Sequence, residues 1–359
     1  MTSQAIVLDR SLDTAEQVVL SHRNNFNLIR LVAAIQVLLV HGCNHFGVTG
    51  WYVTALKALP GVPVFFFISG FLIYQAYERS SGSGLFGFYR NRFLRIFPAL
   101  WVCVILSTLA VAATGYFAIS QPSAAQFVIW LAGQMTFAQF YNPDFMRAFG
   151  DGVLNGALWT ITVELQFYII TPVLAFCLAS RKWIFGAVLA MSVLTNQFAH
   201  HVLNTDAFTT KLLYVTFAPW VYMFMTGMLV ARYRHQAARI LRVPFVLIAL
   251  AFLASMFLLG GYHVNAQNSI NPISFLLICA MIFKLAFMSP GRFEGALRGV
   301  TRNDISYGTY LYHMPIINLL LHADTPNPAL AVAITFVTTI LLATMSWFLV
   351  ERPALRLKR

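Results

Sequence analysis

Apolar residues form long runs along almost the whole chain, and short polar segments separate one run from the next. Eleven runs occur, at about 26–46, 60–77, 96–118, 125–141, 157–179, 183–199, 212–231, 244–260, 270–288, 304–321 and 329–350. A helix needs about 20 mostly apolar residues to cross the hydrocarbon core of a bilayer, and most of the runs come close to that length. The pattern therefore predicts an all-α, polytopic integral membrane protein.

The fourth run, 125–141, decides how the chain threads the membrane. It is short and contains three glutamines, and the basic residues indicate whether it spans, because they collect on the cytoplasmic side. If it does not span and the N-terminus lies inside, 20 of the 24 lysines and arginines are cytoplasmic; if it spans, 13 of them move outside. The sequence thus predicts about ten transmembrane helices, both termini in the cytoplasm, and a re-entrant or interfacial fourth run within an outer region, 119–156.

Composition narrows the classes of function and partner. Only 10% of the residues are charged, whereas about 25% is usual for a soluble protein. The net charge of +12 would suggest a nucleic-acid partner, but the basic residues lie between apolar runs, where topology explains them. The four cysteines lack metal-ligand spacing, so no metal site is predicted.

We divide the chain into a short cytoplasmic N-terminal extension (1–24), a membrane domain (25–351) and a basic cytoplasmic tail (352–359).

In the first predicted helix, the spacing between an arginine and a histidine indicates a candidate residue for catalysis. Arg30 and His41 are separated by ten residues without a charge. At 1.5 Å per residue, His41 lies about 16 Å along the helix from Arg30, near the middle of a hydrocarbon core about 30 Å thick if Arg30 marks the inner face. An ionisable side chain at that depth is a candidate for catalysis, although a histidine hydrogen-bonded between helices would give the same pattern.

Glu164 is the one acidic residue that lies well inside a predicted span. Its helix begins near Ala157 on the outer side, so Glu164 lies about 10 Å below that face, at a depth similar to that of His41. A carboxylate in this environment needs a partner or a proton. The sequence favours a functional role for Glu164 over a structural pair between helices.

Three further residues are weaker candidates for contacts with a substrate. His313 lies at mid-membrane depth, with Tyr310 one turn before it and Pro315 just after it, and a packing role explains it equally well. Ser69 and Gly70 occupy the middle of the second predicted span, where small residues permit close helix packing or an opening for a ligand. A nucleophilic role for Ser69 is weakly supported, because no G-x-S-x-G motif surrounds it.

Two arginines precede the third predicted span. Arg92 and Arg95 are three positions apart, so on a helix they share a face. Two guanidinium groups on one face can bind a phosphate through paired hydrogen bonds. Anchoring of the helix at the cytoplasmic face is the alternative interpretation.

Several segments, taken together and in order, resemble the acyltransferase-3 family of polytopic membrane acyltransferases. The resemblance runs from about residue 24 to 356, and no single segment is specific by itself. The segments are the Arg30 to His41 spacing, GVPVFFFISGFLI, RNRFLRIFPALW with its Arg-x-x-Arg, LNGALWTITVELQFYIITP, ISYGTYLYHMP and WFLVERP. Many members begin the first span with Asp-Gly-Leu-Arg, but this chain has Asn27-Leu28-Ile29-Arg30, so the aspartate that would pair with Arg30 is missing.

The resemblance implies transfer of an acyl group, usually acetyl, from cytoplasmic acyl-CoA to a carbohydrate hydroxyl. Acyl-CoA would be a co-substrate with no bound cofactor, and the protein would lie in the bacterial cytoplasmic membrane. The family motifs map onto His41 and Glu164 as catalytic residues and onto Arg30, Arg92 and Arg95 as residues that bind acyl-CoA.

The mechanism that we expect from the sequence uses His41 as the general base for the acceptor hydroxyl, with Glu164 orienting the imidazole. Ser69, Tyr310 and His313 are possible contacts with substrate. A secondary transporter would also place His and Glu in broken helices, and a flippase for lipid-linked sugars is a third class. No inverted repeat supports transport.

Overall fold

The structure is a computed structural model that describes residues 24–82, 84–204, 207–259, 268–288, 299 and 303–358. Its described residues form helices and connecting loops without a strand, which confirms the all-α prediction. The predicted N-terminal extension lies outside the described residues, apart from Asn24.

Sixteen α-helices occur in the described ranges. They are α1 (Phe26–His45), α2 (Trp51–Lys57), α3 (Gly61–Arg79), α4 (Gly84–Ala113), α5 (Tyr116–Ser120), α6 (Ala124–Met135), α7 (Trp159–Ser180), α8 (Lys182–His201), α9 (Phe208–Tyr214), α10 (Val221–Arg232), α11 (Arg234–Ala237), α12 (Phe245–Leu258), α13 (Pro272–Phe287), α14 (Ser306–His322), α15 (Pro328–Ser346) and α16 (Arg352–Arg356). A π-helical turn, Trp347–Glu351, joins α15 to α16.

Helices that are long and apolar enough to cross a membrane support an integral membrane protein. By length and composition, five qualify in the described chain: Phe26–His45, Trp51–Arg79, Gly84–Ala113, Gly156–Ser180 and Pro328–Arg356. A sixth is possible if Arg234–Arg242 and Phe245–Leu258, which meet at a 95° bend, form one broken span. The ten spans and the cytoplasmic termini stay predictions.

The fourth apolar run forms a helix too short to cross a bilayer by itself. Helix α6 has 12 residues, which gives a length of about 18 Å against a hydrocarbon core of about 30 Å. Ser123 and Gln126 cap its start with reciprocal side-chain to backbone hydrogen bonds. Trp130 of this helix is fully buried and packs against Phe145 at a ring separation of 5.6 Å, so the helix lies against the rest of the protein.

Glycines bring α3 and α10 into direct backbone contact near the centre of the bundle. A Cβ atom on Gly70 would collide with the Phe224 carbonyl, and one on Gly227 would collide with the Phe67 carbonyl. Small residues at such a crossing let two helix backbones approach closely. The close packing expected near Ser69 and Gly70 is therefore present at Gly70, and it fixes the position of Ser69 beside it.

Candidate functional site

Asp304 lies at the centre of a charged cluster at one end of the bundle. Its Oδ2 atom accepts from Arg30 Nη1 at 2.7 Å and from Arg95 Nη2. Its Oδ1 atom accepts from the hydroxyl and the backbone N–H of Ser306 at the start of α14. Asp304 is 6% exposed, and a buried carboxylate is stabilised by this number of donors. This cluster supplies the partner that Arg30 lacks in its own segment.

Glu351 gives Arg95 a second carboxylate neighbour. Its Oε2 atom lies 4.0 Å from Arg95 Nη1, and its Oε1 atom accepts from the Ser346 hydroxyl at 3.3 Å. Glu351 is 2% exposed and ends the π-helical turn, an irregularity that often occurs at functional sites. Sequence reasoning missed both Asp304 and Glu351, although the WFLVERP segment contains the second of them.

Arg92 lies one turn from Arg95 on α4 and differs from it in having no acidic partner. Within the described residues, no carboxylate lies within ion-pair distance of Arg92, and its buried Nε atom lacks a hydrogen-bond partner. Its guanidinium carbon lies 5.9 Å from the ring centres of Phe88 and Tyr168, close enough for cation–π attraction. The aromatic rings hold the group in place, and its Nε–H has no acceptor among the described residues.

A cavity of about 230 Å³ opens beside these arginines. Its polar lining comes from six separate parts of the chain and is rich in cations: Arg30, Ser69, Arg79, Arg92, Arg95, Glu164, Tyr168, Tyr307 and Lys358. A smaller cavity of about 30 Å³ shares Arg30, Ser69, Glu164 and Tyr307 with it and continues to Thr160 and Tyr310. The shared residues place the two cavities side by side, so together they extend from the arginines toward α14.

Glu164 lines both cavities, and its hydrogen bonds come from neutral groups. Its Oε1 atom accepts from Tyr168, one turn along α7, at 2.6 Å and from Ser69 at 3.3 Å. These are the contacts that the structure shows for Glu164, and the hydrogen bond that it shows for His41 goes elsewhere. Glu164 and Ser69 thus belong to the wall between the two cavities.

His41 pairs with His313, and the surroundings of His313 fix the direction of the hydrogen bond. His41 Nδ1 lies 3.0 Å from His313 Nε2, and His313 Nδ1 lies 2.8 Å from the Tyr310 carbonyl oxygen. A carbonyl only accepts, so His313 Nδ1 carries a hydrogen and, in the neutral ring, His313 Nε2 is an acceptor. His41 therefore donates from Nδ1, and its Nε2 atom keeps the lone pair that a general base needs.

His41 is half-buried, whereas His313 is completely buried. Beyond His41 on the same helix, His45 has its ring centre 6.2 Å away, and its Nδ1 atom lies 3.7 Å from a carboxylate oxygen of Asp151. Asp151 is exposed, so this end of the site is open to the surroundings of the protein. We call this end of the site the His45 end.

Hydrogen bonds from polar side chains attach α14 to the loop that contains Asp151. Pro315 has no N–H, so the Leu311 carbonyl four residues earlier lacks its helical partner, and Asn155 Nδ2 donates to it at 2.8 Å. Asn318 accepts from the Asp151 N–H at 2.8 Å and donates to the Val153 carbonyl at 3.0 Å. The proline that follows His313 therefore also helps to hold the loop over the His45 end.

Tyr310 connects the two halves of the site. Its hydroxyl lines the smaller cavity and lies 2.7 Å from the Thr160 hydroxyl, while its carbonyl holds His313. The arrangement places a cationic cavity that suits an anionic ligand at one end and an imidazole lone pair at the other. Such a combination suits transfer of a group from a phosphate-bearing donor to a hydroxyl.

Comparison with known proteins identifies the family. The family model described as an acyltransferase domain, that of the acyltransferase-3 family, matches residues 23–348. This chain belongs to the acyltransferase-3 family. The family predicted from the ordered sequence segments is thus confirmed, and the match covers most of the chain.

Three curated relatives of this acyltransferase-3 protein align over nearly its full length. Nodulation protein 10 of Rhizobium leguminosarum bv. viciae is 33% identical, and the alignment covers 94% of each chain. O-acetyl transferase of Shigella phage Sf6 is 27% identical over 92% of this chain and 96% of its own. Peptidoglycan O-acetyltransferase OatA of Listeria monocytogenes is 24% identical over 90% of this chain, which corresponds to 54% of OatA. No solved structure matches the chain.

Proposed function

We propose that this protein is an O-acyltransferase that moves an acyl group, acetyl first of all, from acyl-CoA to a carbohydrate hydroxyl. Family membership supports acyl transfer, and two of the relatives are named for O-acetyl transfer, one of them to peptidoglycan. The acceptor would be an exopolysaccharide, an O-antigen or a lipid-linked oligosaccharide. The observation that carries the proposal is the pair of adjoining cavities that extends from the arginines to Tyr310, whose carbonyl holds His313 and through it His41.

The cationic cavity is where we place the donor. Arg92 has hydrogen-bonding capacity left over after its protein contacts, and it faces the same cavity as Arg30 and Arg95. Phosphate groups form short, charge-assisted hydrogen bonds with guanidinium groups. The pantetheine arm would then pass beside Ser69 and Glu164, whose side chains are hydrogen-bonded to each other, and would carry the thioester toward Tyr310.

His41 is the base in this proposal, and His313 takes the positioning role that sequence reasoning gave to Glu164. The acceptor hydroxyl gives its proton to His41 Nε2 as its oxygen attacks the thioester carbonyl carbon. The C–S bond then breaks, and the coenzyme A thiolate takes this proton from His41 Nε2, which regenerates the base. The imidazolium formed on His41 is stabilised by donation from Nδ1 to His313 Nε2, in the way that a carboxylate stabilises the histidine of a catalytic triad.

The predicted topology agrees with this direction of transfer. In the ten-span arrangement, Arg30, Arg92 and Arg95 face the cytoplasm, where acyl-CoA is made, and the region 119–156 faces outward. The His45 end, with Asp151 in that region, then opens toward the outer side of the bacterial cytoplasmic membrane. A polymer acceptor would reach His41 from there, or a lipid-linked acceptor would enter from the bilayer.

The experiment that tests the function follows release of free thiol from acetyl-CoA. Purified protein in lipid nanodiscs should release thiol only when a carbohydrate acceptor is present, and mass spectrometry should find the acetyl group on that acceptor. The His41→Ala protein, correctly folded by thermal unfolding, serves as the control and should lose at least about 100-fold in rate. A wild-type protein that moves sugar across the membrane without releasing thiol would support the transporter or flippase alternatives instead.

A further inference from the structure

The chain's last described residue lies in the donor cavity although it is far in sequence from the other cations there. Lys358 lines the cavity together with Arg30, Arg92 and Arg95. Helix α16 packs against α4, and backbone hydrogen bonds from Leu357 to the Ala354 carbonyl (3.1 Å) and from Lys358 to the Leu355 carbonyl (3.3 Å) continue its last turn. The tail thus brings Lys358 to the cavity on an ordered backbone.

The charges around Lys358 do not balance. Three carboxylates lie near these cations: Asp304 holds Arg30 and Arg95, Glu351 lies beside Arg95, and Glu164 lines the cavity and accepts from Tyr168 and Ser69. Within the described chain, no carboxylate lies within ion-pair distance of Lys358 or Arg92. Cations gathered in a partly desolvated cavity repel one another unless an anion joins them. Cations therefore outnumber carboxylates around the cavity, as expected of a site that binds an anionic ligand.

The ionisation of Lys358 agrees with this geometry. Burial and then the nearby Arg92, Arg95 and Arg30 lower the pKa of Lys358 to about 7, with Asp304 opposing the shift. A charged lysine in such a position is unfavourable in free energy, because it is partly desolvated and lies near other cations. A bound polyanion offsets this penalty by pairing with the ammonium group.

We propose that Lys358 belongs to the donor-binding site and pairs, together with Arg92, with the phosphates of acyl-CoA. The inference rests on the proposed function and deepens it, because it assigns part of the donor site to the C-terminal tail. Asp304 pairs with Arg30 and Arg95, whereas Arg92, Lys358 and the exposed Arg79 show no ion pair within the described residues. With two cations on different elements, the site should bind a donor that has several phosphates more tightly than a donor that has none.

The test compares two thioesters that differ in their phosphates. Acetyl-CoA carries them and S-acetylpantetheine does not, so a residue that binds phosphate affects only the first. In full-length protein in nanodiscs, Lys358→Gln should raise the KM for acetyl-CoA by about tenfold, the effect of losing one charge-assisted pair, and leave kcat nearly unchanged. Turnover of S-acetylpantetheine should not change, and Lys358→Arg should restore the KM for acetyl-CoA.

Arg356 gives a matched control, since it lies two residues earlier on the same tail, is exposed and does not line the cavity. Arg356→Gln removes the same charge and should behave as wild type, and Arg92→Gln should raise the KM for acetyl-CoA like Lys358→Gln. If Lys358→Gln has the wild-type KM while Arg92→Gln does not, the inference is wrong and the donor site stands. An equal loss with both thioesters would also overturn it, and wild-type protein that neither binds nor turns over acetyl-CoA would remove the proposed donor together with the inference.

Discussion

Replacement of His313 by leucine is the sharpest test of how the site makes a base. The substitution removes the only acceptor that the described structure gives to His41 Nδ1, 3.0 Å away, and leaves His41 itself in place. Leucine fills much of the space of the imidazole without a polar atom. His41 then keeps its ring but loses the group that fixes its orientation and stabilises its positive charge.

The size of the effect follows from the hydrogen bond that is lost. A hydrogen bond to a charged group contributes about 1.5–3 kcal/mol, and it matters most when His41 carries the proton, which is after the base has acted. Since about 1.36 kcal/mol corresponds to a tenfold change in rate, kcat should fall by about 10- to 150-fold. The KM for acetyl-CoA should stay near the wild-type value, because neither His41 nor His313 lines the donor cavity.

The assay is initial-rate thiol release from acetyl-CoA with a saturating acceptor, supported by thermal unfolding to establish that each variant is folded. His313→Gln offers an amide oxygen to His41 Nδ1 and should lose less than about tenfold in kcat. His322→Leu is the matched control, because this histidine lies on the same helix but packs against Phe149, with its ring centre 4.7 Å from that of the phenylalanine. The double variant with His41→Ala should be no slower than His41→Ala alone, since the two act as one unit.

Folded His313→Leu protein with wild-type kcat would refute this reasoning and return His313 to a packing role. A loss in KM equal to the loss in kcat would also contradict it, because a change confined to the base should leave donor binding intact.

Three further predictions test other parts of the structure. Asp304→Asn leaves Arg30 and Arg95 without their shared counter-charge, so it should lower stability by about 3–5 kcal/mol, measured by denaturation in detergent; an unchanged midpoint would contradict the cluster. Acetyl-CoA binding should weaken as pH rises from 7 to 9, because Lys358, with a pKa near 7, loses its positive charge over that range; Lys358→Arg should abolish the dependence, and a profile shared by both proteins would exclude Lys358 as its origin. An impermeant thiol reagent should label a cysteine at position 123 from outside but not one at position 236, and the reverse result would overturn the ten-span topology.

The sequence could predict how deep the site residues lie in the membrane, but it could not predict which groups they hydrogen-bond to. The rise of 1.5 Å per residue places His41 and Glu164 at similar depths, and the three-residue spacing puts Arg92 and Arg95 on one face. However, the depth of a residue in the membrane does not show in which direction around the helix axis its side chain points. Whether Glu164 turns toward His41 or toward Tyr168 depends on which helices are neighbours, and the structure shows Glu164 accepting from Tyr168 and Ser69.

The sequence by itself determined that the chain is all-α and apolar enough for a membrane, and its ordered segments determined the family. Periodicity and composition are local properties, so they can be read along the chain. Only the tertiary structure decided the partners: Asp304 pairs with Arg30 across 274 positions, His313 with His41 across 272, and Lys358 joins the same cavity from the chain's end. Such pairings depend on how helices cross, as α3 and α10 do at Gly70 and Gly227. Contacts between segments that are distant in sequence decide which side chains meet there, and a local sequence pattern does not contain that information.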